Sequence, residues 1–264
     1  MTGGAIIELK NVGRSFDGGR SFAVEGVSLA VAEGAFVALV GASGSGKTTT
    51  LKMINRLVEP DRGEVLVEGG PASALPAAEL RRRIGYVFQG IGLFPHLSVA
   101  ENIGITPALL GWSRADIEAR TLELLDLVGL PRSYAPRAPA ALSGGERQRV
   151  GVARALAARP KIVLMDEPFG ALDPVTRDSL GAAYRELHEK LGLTTVMVTH
   201  DMQEAILLAD RIAVMRHGSL LADGPPAELV SATADPEVRA LLDMPRRQAE
   251  RVRARLGQEG DAHG

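Results

Sequence analysis

The sequence predicts an α/β protein with a mostly parallel sheet, because short apolar and β-branched runs alternate with segments of helical periodicity. The runs that matter most cover residues 36–40, 87–88, 162–165 and 196–199. Each of them leads into glycine or polar residues. Ligands in open α/β sheets bind beyond the carboxyl ends of the strands, so we expect these separated residues to converge on one crevice.

The composition excludes several classes of function. The 264 residues are 45% hydrophobic and 23% charged, as in ordinary globular proteins. The formal net charge of −2 provides no positive field that would attract nucleic acid, so we expect no nucleic-acid partner. The absence of cysteine excludes disulfides, thiolate catalysis and zinc–thiolate sites. The apolar runs are far shorter than the roughly 20 residues of a membrane helix, so a role at a membrane requires a partner.

The strand at 36–40 leads into a predicted phosphate loop. Residues 41–48 fit the pattern G-x-x-x-x-G-K-[ST] between a strand and a helical run. The glycines let backbone N–H groups turn toward phosphates, Lys47 would reach the β and γ phosphates, and the Thr48 hydroxyl would bind Mg²⁺. A plain Gly-Ser turn is the alternative, although it has no need of Lys-Thr. The predicted ATP-binding residues here are Gly41, Ala42, Ser43, Gly44, Ser45, Gly46, Lys47, Thr48 and Thr49.

Gln89 and Phe16 are further candidates for the same site. Gln89 follows the strand at 87–88, and its amide could contact the metal ion or the attacking water; a polar strand end is the alternative. Phe16 precedes a turn-forming Asp-Gly-Gly run and could stack on adenine, although an ordinary core aromatic fits the sequence nearly as well.

From Gln89 to Pro160 the periodicity becomes helical. Ser113 followed by Asp116 predicts a helix start, and apolar residues then recur at helical spacing. Between these helices and the next strand lies the run Leu-Ser-Gly-Gly-Glu at 142–146. Ser143 and Glu146 have the spacing of a capping box. Capping does not explain the two glycines, each of which disfavours a helix by nearly 1 kcal/mol relative to alanine. They make sense if Ser143 and the amides of Gly144 and Gly145 grip a γ-phosphate.

Polar residues also end the next two strands. Asp166 would hold Mg²⁺, and Glu167 would orient and polarise the attacking water; ordinary strand-end acids are the alternative. His200 ends the strand at 195–199. A lone histidine is usually structural, but its strand-end position favours a catalytic role. The residues after Asp173 predict an amphipathic helix that ends near Gly192.

These motifs together resemble the ATP-binding-cassette (ABC) ATPases over residues 6–229. Residues 41–48 match the Walker A loop, Gln89 the Q-loop, 142–146 the signature, and 162–166 with Glu167 the Walker B strand and catalytic glutamate. Residues 171–173 match the D-loop and His200 the switch histidine. The sequence departs from the commonest family pattern at Glu146, where glutamine is usual, and at Phe16, where tyrosine is more common. Neither departure removes a phosphate donor.

The resemblance implies the fold and its division. It predicts a P-loop NTPase (RecA-like) core with a mixed sheet, a small antiparallel β subdomain and an inserted helical subdomain. The ATPase domain would cover residues 1–234, with the core and β subdomain at 1–90 and 159–234 and the helical subdomain at 91–158. Residues 235–264 would form a short charged tail, mostly a solvated helix face, with a partner contact as the alternative.

The resemblance also implies a dimer in which each Walker A loop is closed by the signature of a second copy, with ATP and Mg²⁺ between them. Thr48, Gln89 and Asp166 would bind the metal, and Glu167, His200 and Gln89 would be catalytic. The residues acting on the partner's nucleotide would be Ser143, Gly144, Gly145, Glu146 and Asp173.

The dimer would drive an integral membrane permease and sit peripherally on the cytoplasmic face of the membrane. Leu93, Phe94 and Pro95 would dock against that permease; a role in the core of the helical subdomain is the alternative. An extracytoplasmic substrate-binding protein would be an indirect partner. Residues 90–103, 110–112 and 165–174 look like those of osmoprotectant importers for glycine betaine, choline or carnitine.

Three other functions remain open from the sequence. The chain could serve an importer of another small solute, or it could be a soluble ABC-type ATPase acting on ribosomes or DNA, although a basic surface is lacking. A P-loop kinase or GTPase is the third, but it leaves residues 142–146 unexplained.

Overall fold

Two β-sheets carry the fold in the computed structural model, which describes residues 4–232 and 235–257. The smaller, antiparallel sheet has the order β2-β1-β4-β5, and the larger has the order β10-β9-β3-β8-β7-β6. The strands are β1 (Ala5–Arg14), β2 (Val24–Ala32), β3 (Phe36–Val40), β4 (Arg62–Val67), β5 (Gly70–Pro71), β6 (Ile84–Val87), β7 (Ile162–Asp166), β8 (Thr194–Val198), β9 (Arg211–Arg216) and β10 (Ser219–Gly224).

The larger sheet is mixed. Strands β6, β7, β8, β3 and β9 run parallel to their neighbours, and β10 pairs antiparallel with β9. Every residue of β3, β7 and β8 is buried, as expected for parallel strands covered on both faces. Along β3, Phe36 and Ala38 join one core cluster and Val37 and Leu39 join the other, because side chains alternate across a sheet. The mixed sheet beside a separate antiparallel sheet confirms the predicted fold class.

Helices α3, α4 and α5 lie between β6 and β7 in the chain and pack on one another. This is the segment whose periodicity predicted helices. The helices are α1 (Lys47–Ile54), α2 (Ala77–Arg83), α3 (Val99–Leu109), α4 (Arg114–Leu127), α5 (Gly144–Leu156), α6 (Pro174–Leu191), α7 (Met202–Leu208), α8 (Pro226–Ala232) and α9 (Pro236–Gly257).

The helix ends follow local signals in the sequence. Ser113 caps α4 through a hydrogen bond that its hydroxyl accepts from the Asp116 amide at 3.1 Å, which confirms the predicted start. Helix α6 ends at Gly192, whose φ of 60° is the left-handed conformation that glycine adopts most easily at a helix end. The predicted end near Gly192 is therefore confirmed.

Helix α9 covers most of the predicted tail. Val238 and Leu242 bury its first turns against the main core, whereas the side chains from Arg246 to Leu256 are exposed. The rest of the tail, residues 258–264, lies outside the described residues, as do residues 1–3 and 233–234. Within the described ranges, every helix falls short of the length and hydrophobicity that crossing a bilayer requires.

Candidate functional site

The phosphate loop connects β3 to α1 in a conformation that requires glycine. Gly41 and Gly46 have φ values of 147° and 99°. A Cβ on Gly41 would lie 2.1 Å from the Met215 carbonyl oxygen, and one on Gly46 would lie 2.4 Å from the Ala23 carbonyl oxygen. Gly46 is also the N-cap of α1, and no side chain caps that helix. The first N–H groups of α1 are therefore available to an anion.

Two buried side chains complete the loop. The Lys47 ammonium donates to the carbonyl oxygens of Gly41 and Ala42, each at 2.8 Å. Burial lowers the pKa of Lys47, and the charges of Glu167 and Asp166 oppose that shift. The Ser45 hydroxyl is buried with no hydrogen-bond partner. A buried polar atom without a partner is destabilising, so an acceptor such as a phosphate oxygen fits this loop. Thr49 follows half-buried in the first turn of α1.

The predicted metal-binding oxygens meet directly below the loop. The Thr48 hydroxyl donates to Asp166 Oδ1 at 2.8 Å, and Asp166 is 3% exposed at the end of β7. Burial and the Asp166 charge both raise the pKa of Tyr86, on the neighbouring strand β6. Oxygen donors of this kind are the ligands that Mg²⁺ prefers, so Thr48 and Asp166 fit that ion.

Glu167 follows β7 and contacts residues at the ends of its two neighbouring strands, β6 and β8. Its amide donates to the Val198 carbonyl oxygen of β8 at 2.9 Å, and its φ of 45° is a left-handed conformation that is uncommon for a residue with a side chain. Gln89 Nε2 donates to Glu167 Oε2 at 3.3 Å, and His200 Nδ1 lies 3.3 Å from the same oxygen. The structure thus brings Gln89, Glu167 and His200, predicted from three distant motifs, around one carboxylate.

The segment 142–146 forms a helix start. Ser143 is the N-cap of α5: its hydroxyl accepts from the Glu146 amide at 3.3 Å, and its amide donates to Glu146 Oε2 at 2.7 Å. This capping box was predicted and is confirmed. The Tyr134 hydroxyl donates to Glu146 Oε1 at 2.8 Å. These hydrogen bonds lower the pKa of Glu146, and the bond from the Ser143 amide makes the largest contribution. Both carboxylate oxygens of Glu146 therefore have partners in their own chain.

The two glycines of this segment have different surroundings. A Cβ on Gly145 would lie 2.6 Å from the Thr176 methyl group of α6, so close packing within the chain explains this glycine. The nearest atom to a Cβ on Gly144 is Leu172 Cδ2 at 4.0 Å, which leaves room for alanine. Packing in the chain therefore explains Gly145 but not Gly144. Within the described ranges, no hydrogen bond joins 143–146 to the phosphate loop.

Asp173 and Phe16 lie outside the cluster around Glu167. Asp173 is the exposed N-cap of α6, where its Oδ1 accepts from the Thr176 amide at 3.0 Å. Hydrogen bonds from the Thr176 side chain and then from its amide lower the pKa of Asp173. Phe16 is 62% exposed, with its ring centre 5.0 Å from the Arg14 guanidinium carbon. The alternative of a core aromatic is therefore wrong, because most of Phe16 is exposed to solvent.

Leu93, Phe94 and Pro95, here called the docking segment, lie between the site and α3. Leu93 is partly buried against the main core, whereas Phe94 is 46% exposed and Pro95 is exposed. Phe94 also lines a groove of about 260 Å³ together with Leu57 and Phe88, whose side chains are likewise exposed. Of these three residues only Leu93 is partly buried in the core. The alternative of a core role therefore applies to Leu93 and not to Phe94 or Pro95.

Sequence reasoning missed a cluster beside His200. Arg177 Nη1 lies 3.2 Å from Asp201 Oδ2, and its Nη2 donates to the Leu172 carbonyl oxygen at 3.2 Å. Glu204 is 8% exposed, and burial raises the pKa of its carboxyl group. The only sequence signal was Asp201 following His200, which by itself predicts no more than a helix cap.

Comparisons with known proteins agree with this geometry. A family model described as ABC transporter matches residues 24–170. The chain is 52% identical over 234 residues to the glycine betaine uptake system ATP-binding protein YehX of Escherichia coli (strain K12), covering 89% of this chain and 75% of that protein. It is 48% identical over 237 residues to the choline transport ATP-binding protein OpuBA of Bacillus subtilis (strain 168), covering 90% of this chain. The chain spans only 62% of the length of that choline relative.

A solved structure also superposes on the chain. It is the dimeric ATP-binding cassette MJ0796 in a post-hydrolysis state bound to ADP and Pi. The TM-score is 0.75 at 36% sequence identity, and the match covers 83% of this chain and 98% of that one.

Proposed function

The chain belongs to the ABC transporter family, and from that membership we propose that it hydrolyses ATP to drive solute import through a separate membrane permease. One observation carries the proposal. Five predicted site residues converge at the carboxyl ends of β3, β8, β7 and β6, which are adjacent parallel strands of the larger sheet. These residues are Thr48, Gln89, Asp166, Glu167 and His200. A site assembled from four strand ends is the arrangement that nucleotide chemistry uses in open α/β sheets.

In this proposal the phosphate loop binds ATP. The glycine backbone and the uncapped start of α1 supply N–H donors, Lys47 supplies a positive charge, and the Ser45 hydroxyl gains the acceptor it lacks. Phe16 offers its ring to the adenine. Thr48 and Asp166, with Gln89 nearby, would hold Mg²⁺, which neutralises phosphate charge when bound.

Glu167 would act on the attacking water. A carboxylate can accept a hydrogen bond from that water and polarise it toward the γ-phosphorus. Gln89 and His200 both face Glu167 Oε2 and fix the direction of the carboxylate. His200 would also face the departing phosphate. The products are ADP and inorganic phosphate, and the protons of the consumed water end on the phosphate and solvent.

We propose that a second copy of the chain completes the site. Gly144 is exposed with space around it, and packing among the described residues does not require a glycine there. The dimeric state of the solved cassette bound to ADP and Pi supports the same arrangement. Ser143, Gly144 and Gly145 would then face the partner's nucleotide, with Glu146 holding their helix start and Asp173 lying at the interface.

The solute we propose is a quaternary amine such as glycine betaine, choline or carnitine, as the names of similar proteins suggest. The docking segment would contact the permease on the cytoplasmic face of the membrane, and a substrate-binding protein would act on the far side. The division into residues 1–90 with 159–234, residues 91–158 and residues 235–264 is part of the same proposal.

Two experiments test the proposal in turn. Turnover of ATP and of GTP by the chain, alone and with its permease, tests the enzyme; no Mg²⁺-dependent ATP turnover in either setting would reject it. Co-purification of the permease and the binding protein, followed by a binding screen of quaternary amines, tests the solute. No binding of betaine, choline or carnitine would reject the solute and leave the ATPase standing.

A further inference from the structure

The loop at 88–92 carries Gln89 and leads into the docking segment, and its backbone is unusual. Gly90, Ile91 and Gly92 have φ values of 78°, 73° and 57°. Glycine adopts such angles freely, whereas a β-branched residue such as isoleucine is a genuine outlier there. Backbone strain of this kind persists only where the surroundings hold it, and it concentrates at switches and active sites.

Arg154 is the side chain that holds this loop. It lies in the last turn of α5 and is 8% exposed. Its Nη1 donates to the Gly92 carbonyl oxygen at 2.6 Å and its Nη2 to the Ile91 carbonyl oxygen at 2.9 Å, and its guanidinium carbon lies 5.6 Å from the centre of the Phe88 ring. The strained residue and its neighbour therefore both accept from one guanidinium. A lysine ammonium lacks the planar pair of N–H groups with which arginine binds two neighbouring acceptors at once.

The docking segment is held by a different helix, through Phe94. Asn102 of α3 is fully buried, and its Oδ1 accepts from the Phe94 amide at 2.8 Å. Its Nδ2 donates to the carbonyl oxygens of Phe94, Leu97 and Ser98 at 3.0–3.1 Å. The loop that leads into the docking segment is thus tied to α5, and the docking segment itself is tied to α3.

We propose that Arg154 is a positioning residue that couples Gln89 and the docking segment to the start of α5. The inference rests on the proposed function. Helix α5 is 13 residues long, about 20 Å at 1.5 Å per residue, with Arg154 in its last turn and Ser143 at its cap. A helix is rigid over this length, so a displacement of the loop by the permease moves the segment that faces the partner's nucleotide.

Enzyme kinetics test the link. Arg154→Lys should lower kcat about tenfold while the Kd for ATP changes less than about twofold, because the phosphate loop is untouched. In a Gln89→Ala background the same change should have almost no further effect, because both residues act through one loop. Arg149→Lys is the matched control: Arg149 lies on the same helix and donates to the Val128 carbonyl oxygen, away from the loop. Wild-type kcat in Arg154→Lys, or effects that multiply with Gln89→Ala, would overturn the inference.

Hydrogen exchange tests the same link without turnover. The amides of Ile91, Gly92 and Phe94 all have hydrogen-bond acceptors in the loop or in Asn102. Arg154→Lys should speed their exchange about tenfold and leave α6 unchanged. Unchanged loop exchange would refute the inference even for a chain that hydrolyses ATP. Faster loop exchange in a chain that never hydrolyses ATP would instead refute the proposed function alone.

Discussion

Replacing Gly144 with alanine should separate stability from activity. The position lies at the first residue of α5, has no positive φ, and leaves a Cβ 4.0 Å from its nearest neighbour. Alanine therefore fits without strain, and its better helix propensity adds up to about 1 kcal/mol. For a chain of this size that amounts to a rise in Tm of up to roughly 2–4 °C. The isolated subunit should bind ATP as tightly as the wild type, because within the described residues no hydrogen bond joins residues 143–146 to the phosphate loop.

Turnover should respond in the opposite direction. If the Gly144 amide approaches the partner's phosphate, an added methyl group blocks that approach, and losing such a donor typically lowers kcat by about 10²–10³-fold. Thermal unfolding, binding of a fluorescent ATP analogue and a coupled phosphate assay measure the three quantities. Gly145→Ala is the contrasting variant: it should be destabilised by the contact with Thr176 and recover when Thr176→Ser removes the methyl group. Wild-type turnover in Gly144→Ala would refute the split site, as would a parallel loss of ATP binding.

Three further outcomes follow from the site. Glu167→Gln should keep ATP binding, lower turnover about 10²–10⁴-fold and accumulate a nucleotide-bound dimer in size-exclusion chromatography; undiminished hydrolysis would remove Glu167 from the reaction. Chelation of Mg²⁺ should stop turnover, and Thr48→Val should raise the Mg²⁺ concentration for half-maximal rate about tenfold, whereas an unchanged requirement would exclude Thr48 as a ligand. Burial raises the pKa of Glu204 above 4.5, so the folded chain keeps a proton there that the unfolded chain loses, and stability falls as pH rises through the raised value. Glu204→Gln should abolish that fall in thermal unfolding; a pH-independent shift in Tm would contradict the linkage.

Local signals made the core of the site predictable. The phosphate loop needs glycines, Lys47 and Thr48 in a fixed order, and the acids and His200 stand directly after apolar strands. Once the strands are parallel, their carboxyl ends meet at one edge, so the meeting of Gln89, Glu167 and His200 follows from topology. The helix signals at Ser113 and Gly192 worked for the same reason, because a cap is decided by a few neighbouring residues.

The sequence did not predict which polar side chains of the helices contact backbone groups outside their own helix. Arg154, Arg177 and Asn102 are polar residues inside helical patterns, where solvent exposure is the usual expectation. Each is instead directed at backbone carbonyl groups outside its own helix. Arg154 reaches Ile91, 63 residues away, whereas Arg177 and Asn102 contact the loop just before their helix, at Leu172 and Phe94. Ser98 and Glu101 form a capping box that begins α3, although the apolar run around them obscures this helix signal in the sequence. Tertiary packing decides which polar side chains turn inward, and no local pattern records it.

The capping box at Ser143 is compatible with phosphate binding because the two roles use opposite properties of one hydroxyl. In the cap the Ser143 oxygen accepts from the Glu146 amide, and a hydroxyl that accepts in this way can still donate its O–H to another group. Glu146 meanwhile accepts from Ser143 and Tyr134 and has no oxygen left without a partner. Glutamine could fill the same cap, since the motif accepts either residue, so the departure from the family's usual glutamine keeps the helix start intact. Within the described residues, packing leaves the identity of Gly144 unexplained, and Gly144 is the residue of this run for which we propose a contact with a second copy.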